Sequence, residues 1–306
     1  MKIEYIKHNK INFNKWDDCI RNSVNGNLYA FSWYLDIVSK NWDALIMNDY
    51  ETVMPLTHSK KYGIKFLIQP FFTQQLGVFS VHCTTPEIVT AFINSIPNSF
   101  KYILINLNKY NQLSPLPANN KINHNFELDL IFSHDQLIHK YSENTRRNIA
   151  KTKENGLTVT SNACSVNDLV NLIKKNVGVK VENLPQNKYD DIRKIISFAL
   201  QEHFGEIISV YSKENELLAS VFFIFSHKKA VYLFAASTEE GKKKRAMFLL
   251  IDEFIKKYSE KNLILDFEGS NIEGLARFYQ GFGATDCEYI TIKKNRLPFP
   301  LKYLKK

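Results

Sequence analysis

The 306-residue chain is short of the residues that build cross-linked or metal-held folds. Its four cysteines, Cys19, Cys83, Cys164 and Cys287, are far apart, with no C-x-x-C and no histidine pair at ligand spacing. That pattern argues against a disulfide framework or a zinc site and fits a reduced, cytoplasmic setting. The histidines lack H-E-x-x-H spacing and there is no G-x-S-x-G, so neither a metal centre nor a hydrolase triad is expected. Arginine is scarce as well: of 40 basic residues, only Arg21, Arg146, Arg147, Arg193, Arg245, Arg277 and Arg296 are Arg. The net charge of +9 favours an anionic partner such as nucleic acid, CoA or a membrane surface. Most of that charge is lysine spread along the chain, so the local positions of the arginines say more than the total. Long apolar runs are missing too. Those near 221–225 and 230–236 are far too short to cross a bilayer, and residues 1–8 are polar and charged, unlike a secretory signal. What remains, 44% hydrophobic and 13% aromatic, is enough core for one large domain or two ordinary ones.

Hydrophobic periodicity gives a mixed α/β pattern that repeats coarsely. Strands are expected at 43–48, 52–57 and 64–69, a helix at 86–96, and strands at 102–107 and 126–131. The second half repeats this with strands at 206–211, 217–225 and 231–236, a helix at 243–258, and strands at 263–267 and 288–293. Helices precede each set, near 16–40 in the first half and near 135–154, 166–176 and 188–203 in the second. The boundary is placed after 132, giving domains 1–132 and 133–306. Ser133 and Gln136 match a capping box there, and Gly156 ends the next helix. The aromatic residues Trp16, Trp33, Trp42, Phe71 and Phe72 read as core rather than as a base-stacking platform.

Three segments of the second half carry candidate chemistry. The strand 263–267 ends in Asp266 and Glu268, which strand spacing puts on one side. An Asn-capped helix then presents Tyr279 and stops at Gly281 and Gly283. Loops beyond the carboxyl ends of strands are where α/β proteins bind ligands. Either carboxylate could act as general base while the other positions an amine, and Tyr279 could return a proton to a leaving thiolate or hydroxyl. The plainer reading is an acidic strand end and a core tyrosine. The second segment, Ser237-Thr-Glu-Glu-Gly-Lys-Lys-Lys-Arg-Ala246, leads into an amphipathic helix whose buried stripe is Met247, Leu250, Ile251, Phe254, Ile255 and Tyr258. Free amides at that helix start, with Ser237, Thr238, Lys243, Lys244, Arg245 and Ala246, make an anion site, though not a Walker or dinucleotide loop. The third is the helix 133–155, where Arg146 and Arg147 could grip a phosphate-bearing donor or an RNA backbone. For both basic segments a solvated face is the plainer reading.

Tyr141-Ser-Glu-Asn-Thr-Arg-Arg-Asn-Ile-Ala-Lys-Thr-Lys-Glu-Asn-Gly-Leu157 resembles the helix that opens the second domain of FemAB-like acyltransferases, tandem members of the GNAT N-acetyltransferase superfamily. Leu265-Asp-Phe-Glu-Gly-Ser270 with Ala276-Arg-Phe-Tyr-Gln-Gly-Phe-Gly-Ala284 is similar to their fifth strand and following helix. The first half matches mostly by pattern, together with Gln69-Pro-Phe-Phe-Thr-Gln-Gln-Leu-Gly77. The resemblance implies two GNAT-like lobes, each a mixed β-sheet flanked by helices, the first a degenerate copy. It implies a sheet splayed between its fourth and fifth strands, which the acyl donor enters in the second lobe. The GNAT pattern Arg/Gln-x-x-Gly-x-Gly/Ala, which holds the CoA pyrophosphate, is met only at Ala246; Gly241 and Lys244 stand where Arg/Gln and Gly are expected. FemAB-type proteins instead take an amino acid from aminoacyl-tRNA and attach it to a peptidoglycan precursor.

The leading expectation is therefore an N-acyltransferase that uses acyl-CoA or aminoacyl-tRNA as co-substrate, with no tightly bound cofactor, and an amine-bearing acceptor. Asp266 and Glu268 would hold the amine, Tyr279 would assist the leaving group, and amides at 243–246 would hold the donor. The alternatives are a tRNA-dependent enzyme at the inner face of the cytoplasmic membrane, where the basic, aromatic tail 293–306 could touch anionic lipid, and a catalytically inactive GNAT-fold binding protein.

Overall fold

The computed structural model describes residues 2–114, 120–176, 184–269 and 271–303. Ser270 of the strand-end motif, 115–119 of the Pro- and Asn-rich loop at 108–123 and the last three residues of the tail lie outside the described residues. The chain forms two compact units, Met1–Asn123 with Glu288–Lys306, and His124–Cys287. A single boundary after 132 was expected; the chain instead changes unit at 123/124 and changes back at 287/288.

The first unit is built from β1 (Ile3–Ile6), α1 (Phe13–Asn22), α2 (Ser32–Val38), β2 (Trp42–Met47), β3 (Thr52–Lys61), β4 (Ile64–Ile68), β5 (Phe79–Ser80), α3 (Pro86–Asn94) and β6 (Phe100–Asn106). β7 (Lys121–Asp129) then leads into the second unit. That unit contains α4 (His134–His139), α5 (Glu143–Lys153), β8 (Thr158–Ser161), α6 (Val166–Asn176), α7 (Gln186–Gln201), β9 (Gly205–Tyr211), β10 (Leu217–Ser226), β11 (Lys229–Ser237), α8 (Glu239–Lys243), α9 (Ala246–Tyr258), β12 (Ile264–Asp266) and α10 (Glu273–Gln280). β13 (Thr285–Asn295) carries the chain back. The mixed α/β class and the repeated strand-hairpin-strand-helix-strand pattern are those expected from the sequence.

The last strand of each half is exchanged. Residues 127–129 of β7, which close the first half in sequence, pair antiparallel with β12 inside the second unit. Residues 291–295 of β13, which close the second half, pair antiparallel with β6 inside the first. This exchange is why the units do not follow the sequence repeat.

Each unit has a parallel strand pair joined by a crossover, as a β-α-β connection requires: β4 with β6 in the first and β11 with β12 in the second. In the first unit α3 is capped by Thr85 and buries Val89, Phe92 and Ile93 against Leu45, Met54, Leu56, Leu67, Phe100 and Ile103. In the second, Leu250, Ile251, Phe254 and Ile255 of α9 meet Val221, Phe223, Leu265 and Phe267 of the sheet, the stripe its 3.6-residue periodicity dictates.

The helices expected near 16–40 are α1, capped by Asn12, and α2, with the Asn27-capped turn between them. Two other helix boundaries differ from expectation. The helix expected at 133–155 is two. The Ser133–Gln136 capping box starts α4, and Ser142, which accepts from the Thr145 amide, starts α5 anew. The helix expected at 243–258 begins instead with the short α8, and Arg245 in the left-handed region (φ 62°) separates it from α9. Strands β1, β5 and β8 were not foreseen.

Candidate active site at the end of the fifth strand

In the second unit β11 and β12 pair at Lys229–Ile264, Ala230–Leu265 and Val231–Asp266. β12 ends at Asp266, whereas β11 continues to Ser237. From Tyr232 onward, among the described residues, no strand lies along that edge of β11. The sheet therefore splays open beyond the third paired position. The chain leaves β11 because it turns along β7: the Phe267 amide donates to the Phe126 carbonyl at 2.9 Å, and Glu268 and Gly269 both take positive φ, 56° and 43°. A β-carbon on Gly269 would stand 2.1 Å from the His124 carbonyl oxygen, so only glycine allows this approach.

That turn changes the placement of both candidate carboxylates. The expectation that Asp266 and Glu268 share a face fails, because strand alternation ends at Asp266 and Glu268 is left-handed. Asp266 is buried and both its oxygens are engaged. Oδ2 is 3.0 Å from the Lys229 ammonium, and Oδ1 accepts from Asn125 Nδ2 at 3.1 Å and from the Glu268 amide at 3.0 Å. Lys229 also reaches Glu127 at 2.7 Å. Burial alone would lower the Lys229 pKa, but the charges of Asp266 and Glu127 outweigh it and raise it above the usual lysine range. Asp266 thus anchors the Glu268 turn to a buried ion network. Glu268 is half-buried, and its charge is felt at Tyr279.

Tyr279 sits on α10, 7% exposed, with its ring stacked on Phe267 at 4.8 Å and edge-on to Tyr232 at 6.1 Å. Burial first, and the Glu268 charge second, push its phenol well above the ordinary tyrosine range. It is held as a neutral O–H donor, and among the described residues its hydroxyl has no hydrogen-bond partner. α10 is not capped by asparagine as expected. Its N-cap is Ile272, and the Asn271 side chain accepts instead from the His124 amide at 3.3 Å.

The remaining predicted residues fall on two further elements. Ser237 ends β11 and donates to the Leu218 carbonyl, and Thr238 caps α8 through the Gly241 amide at 2.9 Å. The expected basic loop is thus a capped helical turn. Lys242 pairs with Glu239, and Lys243 and Lys244 pair with Glu240 at 3.8 and 3.5 Å. The Lys244 and Arg245 amides bond to the Glu240 and Lys242 carbonyls. The donors that lack a carbonyl one turn earlier are therefore those opening α9, at the fully buried Ala246 and at Met247. Arg146 and Arg147 are exposed on α5, and Arg147 donates a hydrogen bond to Asn144 in its own first turn.

Lys229, Glu127, Asn125, Tyr232 and Phe267 were missed by the sequence reading. Glu127 was detectable, since it interrupts the apolar run Phe126-Glu-Leu-Asp-Leu130. Lys229 carries no such signal, because it follows His227 and Lys228 in a polar stretch between two apolar strands.

No family model matches the sequence, and no curated protein matches it. Solved structures do. FemX is similar over 100% of both chains, with 14% identity and a TM-score of 0.68. The C-terminal domain of a protein assigned as a lysylphosphatidylglycerol synthetase in Agrobacterium fabrum matches at 8% identity, with 95% of this chain, 94% of that one and a TM-score of 0.57. L-PGS from Bacillus licheniformis matches at 12% identity, with the same coverages and a TM-score of 0.55. The chain has a FemAB-like GNAT fold. At these identities the likeness is one of fold alone. No helix among the described residues is long and apolar enough to cross a membrane.

Proposed function

We propose that the protein is an N-acyltransferase that moves an activated acyl or aminoacyl group onto an amine. The observation that carries this is the opening of β11 from β12 after Val231, beside a buried tyrosine kept protonated. An extended donor can lie along the free edge of β11 and use main-chain groups that β12 does not occupy. The attacking nitrogen forms a bond to the acyl carbon as the carbon–oxygen or carbon–sulfur bond to the leaving group breaks. Tyr279 gives its proton to the departing oxygen or sulfur, and Glu268 receives the surplus proton of the amine. An activated ester or thioester supplies the driving force, so the protein's main contribution is to position the two reactants. In this reading Asp266 holds the Glu268 turn and is not the base. Ser237, Thr238, Lys243, Lys244, Arg245 and Ala246 flank the donor, and Arg146 and Arg147 meet its phosphates. Tyr279→Phe and Glu268→Gln test the roles in a transfer assay with acyl-CoAs and charged tRNAs as donors. Undiminished turnover in both variants would reject them.

One observation favours aminoacyl-tRNA over CoA as donor. The α8 region satisfies its own amides and pairs its own lysines, leaving little of a pyrophosphate cradle. The acceptor in that reading is a peptidoglycan precursor at the inner membrane face. Salt-sensitive tRNA binding supports it, and silence toward both donor classes in a thermal-shift screen supports a binding protein instead.

A further inference from the structure

The second unit has a second concavity, of about 480 Å³, at the outer end of its sheet, where α5 ends and the β9–β10 turn begins. Gly156, Thr158, Thr160, Ser212, Lys213 and Asn215 line it, none of them acidic. Its one charged group is a cation, and its threonine hydroxyls and the Asn215 amide can donate hydrogens as well as accept them. Ser212 Oγ accepts from the Glu214 and Glu216 amides, at 3.1 and 3.3 Å, and its proton bonds the Glu214 carboxylate, so Ser212 shapes the turn rather than supplying a donor. The Lys213 ammonium can only donate, and among the described residues it has no salt bridge within 4 Å. The Thr160 hydroxyl is shielded from solvent and has no hydrogen-bond partner, a cost that a ligand oxygen would remove.

The site is built to keep Lys213 there. Gly156 has φ 57°, and a β-carbon on it would stand 1.9 Å from Lys213 Cε, so the lysine stem lies directly over the glycine. The Tyr211 ring also lines the cavity, and its hydroxyl is tied to Cys164. Glu214, on the same turn, is exposed; its carboxylate bonds Ser212 and its charge is felt with that of Lys213, so a bound phosphate must displace it from the lysine.

We propose that this cavity binds a phosphate ester, the shared chemistry of a nucleotide's phosphate and an RNA backbone. The inference does not depend on the acyl-transfer reading, since the site holds phosphate whether or not transfer occurs. The test is amide NMR on the full chain at constant ionic strength, titrated in separate arms with inorganic phosphate, 3′,5′-ADP and a short single-stranded RNA. Shifts are expected at Gly156, Thr160, Lys213 and Asn215. Lys213→Ala removes a charge-assisted hydrogen bond and should weaken binding about tenfold or more. Thr160→Val, which removes an unpaired hydroxyl, should leave the melting temperature in place and weaken binding severalfold. Tightest binding of the bisphosphate supports a nucleotide source and tightest binding of the oligomer an RNA source; equal binding of all three supports phosphate itself. No shift at these residues with any probe, or binding that Lys213→Ala leaves unchanged, would overturn the site.

Discussion

The two units solve the same parallel pairing in opposite ways. In the first, β4 runs beside β6 through Ile68–Leu104, and the segment after it stays alongside. The Gln69 amide donates to the Leu104 carbonyl at 3.0 Å, Leu76 to Asn106 at 2.9 Å, and Asn108 back to Leu76 at 2.7 Å. Side chains finish the seal: Gln69 Oε1 accepts from the Asn106 amide, and Asn111 Oδ1 from the Val78 amide at 2.7 Å. In the second unit the corresponding pair parts after Val231. After β6 the first unit has the Pro- and Asn-rich segment 108–123, whereas after β12 the second has α10 and Tyr279. A closed sheet serves stability, and an open one leaves room for a ligand. The difference lies in the segments next to the paired strands, Gln69–Gly77 in one unit and the left-handed Glu268–Gly269 in the other.

The comparison breaks most visibly at the ion network that supports the open end. Lys229→Ala leaves Asp266 and Glu127 facing each other without a cation, and should cost about 3–5 kcal/mol of stability, read by denaturant unfolding. Survival of the fold at near wild-type stability would show the network to be incidental. Next is Tyr279→Phe. Losing the proposed proton donor should lower the transfer rate about 100-fold or more, with an unchanged melting temperature because the hydroxyl bonds to nothing among the described residues. In the closed unit, Gly77→Ala forces a side chain onto φ 104° with Asn111 Oδ1 only 2.3 Å from the new carbon. It should cost about 1–3 kcal/mol while leaving the transfer rate of the remaining folded protein untouched; a rate loss equal to that of Tyr279→Phe would refute the division of labour.

The smallest effect is the pH dependence of the closed unit. Burial would raise the pKa of Asp43, but hydrogen bonds from His58, Tyr5 and the His8 amide outweigh it and bring it down to about 2, from an ordinary 3.8. A carboxylate depressed in the folded state stabilises above its unfolded pKa and loses that contribution as pH falls through the folded one. The first unit should therefore weaken between about pH 4 and pH 2, and Asp43→Asn should flatten that part of the melting curve.

What could be read from the sequence was local. α6 falls at 166–176 as expected, and the central strands of both units lie within a few residues of their expected bounds, because periodicity and buried aromatics decide them. Ser142 was a visible capping residue, yet Leu137, Tyr141 and Ile149 continue one apolar stripe across the break, so the pattern read as a single helix. The exchange of β7 and β13 could not be read, since nothing in an alternating strand names its partner. The roles of Asp266 and Glu268 hinged on one backbone angle, and only Gly269 hinted that the strand had ended. Lys229 stands 37 residues from Asp266, and only the β11–β12 register brings them together.

The central claim is that the edge of β11 beyond Val231 is the donor's seat. Hydrogen exchange of the full chain, with and without acyl-CoA and with and without charged tRNA, tests it most directly. The account predicts that one donor class slows exchange of amides in 232–237 of β11 and at the start of α9, while β4 and β6 of the closed unit stay as they were. A donor that binds yet leaves 232–237 unprotected would contradict it.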